Sequence, residues 1–199
     1  MIIQEKYRPI LTSIDKSLEF SRKSLRGLIH TVYTVPDYMV DNSMTAPAPD
    51  WCHWKPIKVD IESLEIKKYE TLVQVKLPDS YIAFLSYKYF IELNFGHDVE
   101  FFMHTKDWIN HNVDLIKRWG NDTTIEKGLL PFAKMSDWGL VCFDTKEKHL
   151  DNEYNIIYID HEDKYTPQYF KAGRYSFLTL IDEMTKTLED WMSELGNGS

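Results

Sequence analysis

Apolar residues recur near the start of the chain in steps of three and four: Leu11, Ile14, Leu18, Leu25, Leu28 and Val32, with Ser21 as one gap. That spacing keeps one face of an α-helix apolar and predicts an amphipathic helix from about residue 6 to 33. Such a stripe needs a surface to cover it. Docking on the chain's own main body is favoured over a coiled-coil dimer, because so few heptads with a polar break hold a coiled coil weakly. Residues 34–58, TVPDYMVDNSMTAPAPDWCHWKPIK, carry four prolines and no period, and read as an irregular connector. Trp51 and Trp54 within it are expected to pack rather than to bind.

From residue 59 to 89 the pattern predicts two short helices. Asp60 is placed to cap the first, and Pro78 followed by Asp79 and Ser80 opens the second, which buries Tyr81, Phe84 and Leu85. The period then changes to two. FIELNF (90–95) and VEFFMH (99–104), joined by Gly96, His97 and Asp98, read as a β-hairpin. TKDWINHNVDLIKRWG (105–120) returns to helix, with Trp108, Asn112, Leu115, Ile116 and Trp119 on one side and Gly120 at its end. Strands follow at LLPFA (129–133), GLVCFD (139–144) and YNIIYID (154–160), with the polar TKEKHLDNE between the last two as a hairpin loop. A final helix starts near Ser176 and carries Phe177, Leu180, Ile181, Met184, Leu188, Trp191, Met192 and Leu195, closed by Gly196.

Helices first, strands grouped centrally and a helix last predict an α+β fold: a single, mainly antiparallel sheet flanked by helices, with an N-terminal helical extension. The expected organisation is an N-terminal helix and proline-rich connector (1–56) packing on a main domain (57–199).

Charge and cysteine usage narrow the function. Among 199 residues, 23 Lys and Arg stand against 31 Asp and Glu, a net charge of −8, so phosphate backbones and anionic lipid surfaces repel the molecule on average. Neither nucleic acid nor membrane is an expected partner. The two cysteines, Cys52 and Cys142, are far apart, and no apolar run is long enough for a signal or a membrane span. A cytoplasmic location follows as the expectation.

Candidate chemistry is sparse. The seven histidines include no HExxH spacing, and there is no phosphate loop, no GxSxG and no cysteine in a reactive setting. Four consecutive ionisable residues, Asp160, His161, Glu162 and Asp163, stand at the end of IIYI. Consecutive side chains on an extended chain alternate between faces, so at most Asp160 with Glu162, or His161 with Asp163, could converge. The run therefore reads as the solvated end of a buried strand. No catalytic residue, metal or cofactor is expected.

Four segments in order resemble the SUKH superfamily, bacterial immunity proteins related to yeast cell-wall-synthesis regulators: LPDSYIAFL (77–85), LLPFAKMSDWGLVCFD (129–144), IIYIDHED (156–163) and SFLTLIDEM (176–184). The resemblance covers roughly residues 57 to 188, with Trp54 to Ile57 as its entry. It implies a sheet flanked by helices that acts by binding protein, and an antidote that neutralises a cognate toxin domain. A basic nuclease is the kind of toxin an acidic binder suits. The partner-binding residues expected on this reading are Asp137, Trp138, Asp160, Glu162 and Asp163, a central aromatic with a carboxylate rim. The expected oligomeric state is a monomer or weak dimer. Two other readings stay open: a small metal-dependent hydrolase using His161 and nearby acids, and a regulatory scaffold like the eukaryotic relatives.

Overall fold

The computed structural model describes residues 5–24, 29–31, 33–43, 45, 48, 50–59, 63–95, 98–119, 123–135, 139–160, 163 and 166–197. A 3₁₀ turn over Glu5–Tyr7 leads into helix α1, Arg8–Ser24. Its buried face is centred on Ile10, Ile14 and Leu18, with Ser13 and Ser17 buried between them and Leu11 at the margin. The small serines let neighbouring backbone come close. Ser17 donates its hydroxyl hydrogen to the Asn94 carbonyl (2.7 Å), and Thr185 donates to Ser13 Oγ (2.7 Å).

The predicted first helix is too long. Strand β1, Ile29–Thr31, lies inside its span and pairs antiparallel with β2, Cys52–Trp54. Gly27 sits in the same stretch, and glycine costs an α-helix interior about 1 kcal/mol relative to alanine. Leu25, Leu28 and Val32 lie outside the described residues. The connector is also less irregular than its prolines suggest: Asp37–Met39 form a 3₁₀ turn, and the Lys55 N–H donates to the Met39 carbonyl (2.9 Å). Trp54 is 1% exposed and Trp51 38%. Packing thus holds fully for Trp54 alone.

Strand β3, Ile57–Lys58, precedes helices α2, Ser63–Val73, and α3, Asp79–Leu85, and pairs with β4, Lys88–Tyr89. Helix α2 ends with Gln74 in the left-handed region (φ 55°) and the Val75 N–H on the Glu70 carbonyl (3.2 Å). That is the hydrogen-bond pattern of a Schellman stop, here with glutamine where glycine is usual. Asp60, the expected cap of α2, lies outside the described residues. Tyr81, Phe84 and Leu85 of α3 are buried as the pattern predicts.

The expected 90–104 hairpin does not form. Strand β5, Val99–Phe101, pairs with β6, Leu129–Met135, and residues 90–95 contribute one isolated bridge, Phe90 to His104. Phe90, Ile91, Leu93 and Phe95 are all buried, so adjacent side chains at 90 and 91 both turn inward. A two-sided ribbon with one wet face cannot do that. Helices α4, Trp108–Trp119, and α5, Thr123–Glu126, separate β5 from β6 in sequence.

Strands β7, Gly139–Lys148, β8, Tyr154–Asp160, and β9, Pro167–Tyr169, complete a five-stranded antiparallel sheet in the order β5-β6-β7-β8-β9. Strand β9 has only three residues, beginning at a proline, and carries too short a pattern to be read in advance. The register shifts between Pro131 and Ala133. A bulge there accommodates a proline, which has no N–H to offer a central strand. Helix α6, Phe177–Asn197, starts on Ser176, whose hydroxyl accepts the Thr179 N–H (3.3 Å).

The core lies where α3 and α6 meet the sheet. Phe132 and Phe143 stack at 4.3 Å between ring centroids, and the Phe177 ring lies within 6.1 Å of the rings of Tyr81, Phe84, Phe101, Phe132 and Phe143. Ile156, Ile157 and Ile159 of β8 are buried together, so this strand is covered on both faces. Helix α1 packs on α6 and α3; Phe20 meets the Trp191 ring at 6.4 Å, and Lys16 pairs with Glu189. The arrangement is α+β, with an N-terminal helix and, beside the main sheet, two small two-stranded ones.

Candidate functional site

Of the expected binding residues the structure describes Asp160, the last residue of β8, and Asp163 just after it. Gly139, the first residue of β7, faces Met135 of β6 on one side and Asp160 of β8 on the other. Strand spacing therefore puts the Asp160 backbone about 10 Å from Met135. Asp137 and Trp138 lie outside the described residues, but the residues bracketing them, Met135 and Gly139, are cross-strand partners in this same row. His161 and Glu162 are likewise outside. Asp163 is exposed; its carbonyl accepts the Thr166 N–H (3.0 Å), and its carboxylate accepts from Gln168 Nε2 (3.4 Å). Gln168 in turn accepts the Tyr158 hydroxyl hydrogen across β8 and β9.

Close backbone approach holds this end together. A Cβ on Gly139 would stand 2.5 Å from the Ile159 carbonyl oxygen, so only glycine leaves β7 and β8 at their observed separation.

A second charged group sits one row further into the sheet, on the other side, and the sequence pattern did not single it out. Lys134 of β6 pairs with Glu100 of β5 at 3.0 Å, and Glu100 also accepts the Tyr33 hydroxyl hydrogen (3.3 Å). Glu92 stands near both: burial raises its pKa, a hydrogen bond with Thr31 opposes this, and the Glu100 charge adds to it. Only the isolated acids Glu92 and Glu100 in an alternating stretch hinted at this group. The Lys134 charge offsets part of their negative charge, directly at Glu100 and more weakly at Glu92. The group ties Tyr33 and Thr31 to β5 and β6.

The opposite end of the sheet is built differently. Glu153, buried in the β7–β8 turn, accepts both the Ser80 backbone N–H (3.0 Å) and the Ser80 hydroxyl hydrogen. It caps helix α3, where Pro78 has no side-chain hydrogen bond to offer. Burial raises the Glu153 pKa, and the two Ser80 bonds oppose that rise. Asn152, at φ 65°, donates from its side chain to Asp79. Arg174 holds Asp151.

Cys142 and His104 are sealed in the core. Cys142 is fully buried, which pushes its thiol pKa up and away from the reactive thiolate. His104 is 1% exposed among the rings of Tyr89, Phe90 and Trp108; its Nε2 lies 2.7 Å from the Leu85 carbonyl, and burial lowers its pKa to about 4. It is a neutral core histidine donating from Nε2. Among the described residues, no group of three or more His, Cys, Asp or Glu side chains is placed to hold a metal ion, and no helix is long and apolar enough to cross a membrane.

An α+β domain with an acidic sheet end and a buried polar turn opposite it thus defines the class. The family model SUKH_6, described as SMI1-KNR4 cell-wall, matches residues 63–178, more than half of the chain. The chain belongs to this family, and with it to the SUKH superfamily. No curated protein matches it. The match begins with helix α2 and stops at the first turn of α6, so α1 and nearly all of α6, which pack on one another, lie outside it.

Proposed function

We propose that the chain is a non-enzymatic protein-binding domain of the immunity type, which neutralises a cognate bacterial toxin in the cytoplasm by covering its working surface. The observation that carries this reading is the convergence, by strand register, of Asp160 with the chain positions that bracket Asp137 and Trp138, with exposed Asp163 just beyond. Carboxylates at the rim of one sheet end, in a chain of net charge −8, suit a basic target such as a nuclease that must itself hold phosphates. On this reading Trp138 is the central anchor, and Asp137, Asp160, Glu162 and Asp163 form the rim.

The test is association and dissociation kinetics against the purified toxin domain at low and high salt. Neutralising Glu162 and Asp163 should slow association and flatten its salt dependence, because rim charges act mainly through encounter. Replacing Trp138 by Ala should mainly speed dissociation. Salt-independent association, or unchanged kinetics in both folded variants, would move the interface elsewhere on the molecule.

A further inference from the structure

Leu150 stands at the tip of the β7–β8 turn with 109% of its reference exposure, so no described residue of its own chain covers it. Every other residue of the TKEKHLDNE segment is polar. Yet the turn that presents it is held from several sides. The His149 N–H donates to the Glu153 carbonyl (2.8 Å) and the Asn152 N–H to the His149 carbonyl (3.0 Å). Asn152, Glu153 and Asp151 are tied to Asp79, Ser80 and Arg174. A leucine displayed on a pre-organised turn loses little freedom on docking.

The same end of the molecule carries a matching hollow. Helices α2, α4 and α5 enclose an open cavity of about 270 Å³ lined by Leu72, Val113, Ile116 and Ile125 and rimmed by Lys117 and Glu126. Leu72 on its lip is 55% exposed. Hydrogen bonds connect the hollow to the strands that carry the tip: the Gly128 N–H donates to the Ile125 carbonyl (2.8 Å), the Thr145 N–H of β7 donates to the Gly128 carbonyl (2.8 Å), and Asp79, which opens α3, accepts from Asn152.

We infer that this end is a self-complementary interface, in which Leu150 of each of two copies enters the α2–α4–α5 hollow of the other. A leucine side chain fits the cavity in size and polarity. Exposed Lys146, Glu147 and Lys148, on the strand leading to the tip, supply both signs of charge against Glu126 and Lys117 on the rim. In a two-fold pair each copy gives one tip and receives one, so the contact closes at two subunits, whereas a head-to-tail contact would build an open chain. The acidic end of the sheet stays outside the contact.

Sedimentation equilibrium of the full chain, from low micromolar to near-millimolar protein, tests this. The wild-type protein should show a monomer–dimer equilibrium with nothing larger. Leu150→Asp and Leu72→Asp, both at exposed positions and checked for fold by circular dichroism, should each weaken dimerisation about tenfold or more. An equimolar mixture of the two variants should associate more strongly than either alone, since one intact tip and one intact hollow then meet. A chain that stays monomeric throughout, variants that dimerise like the wild type, a mixture no stronger than its components, or a ladder of higher oligomers would each overturn the arrangement.

Discussion

The two ends of the central sheet handle their carboxylates in opposite ways. At the β7–β8 turn, Glu153 is buried and used inside the molecule, where it caps α3 through Ser80. At the other end, Asp163 is exposed and, among the described residues, bonds along its own turn and to Gln168. A buried carboxylate must be satisfied or the fold suffers, while an exposed one can change with little structural effect. Architecture is therefore concentrated at one end, and the other is left able to serve recognition.

The largest expected effect tests whether the acidic end depends on backbone geometry rather than on its charges. Gly139→Val places a side chain against the Ile159 carbonyl, already 2.5 Å from an added Cβ, and should cost about 3 kcal/mol in urea denaturation. A variant as stable as wild type would show that β7 and β8 can separate there. Next, Glu153→Ala strips both acceptors from Ser80 and should cost about 2 kcal/mol. If it cost no more than a surface change, the two ends would not differ as described.

Acidity sharpens the same contrast. The folded Glu153 binds its proton more readily than it would in the unfolded chain, because burial raises its pKa above 4.5. Its protonation therefore favours the fold: the contribution is fully present below pH 4.5 and is lost as pH rises through the folded value. Glu153→Gln, neutral at every pH, should lose ground to the wild type as pH falls across that window, read from paired melts in a pH series. A constant difference between the two would place the Glu153 carboxyl in a water-like setting. The smallest effect is expected at the acidic end: the double variant Asp160→Asn with Asp163→Asn should move stability by no more than about 0.5 kcal/mol. A larger loss in thermal melts would make these acids structural.

Strong periodic segments were legible in advance. YNIIYID matches β8 residue for residue, LPDSYIAFL holds α3, and Ser176 opens α6, because each carries its own pattern together with a start or stop signal. The errors fall where a local pattern met a tertiary demand. FIELNF alternates well enough for a strand, yet both neighbours Phe90 and Ile91 are drawn into the core, and the Asn94 carbonyl is taken by Ser17 of α1. TKEKHLDNE is polar enough for a loop, yet β7 runs on to Lys148, its last three residues exposed. At the site, the acids of DHED were visible as a charge run. Their neighbourhood with Gly139 was not, since residues far apart in sequence meet only through register.

What the sequence determined by itself is the set of elements with a periodicity of their own, the acidic balance, and the order of segments that marks the SUKH superfamily. Those properties are local or additive, so each can be read one window at a time. The tertiary structure alone decided that Glu153 caps a helix 73 residues away, that Lys134 pairs with Glu100 across β5 and β6, and that α1 and α6 cover one another. Such pairings depend on which surfaces exclude water together, and that is a property of the packed chain rather than of any stretch within it.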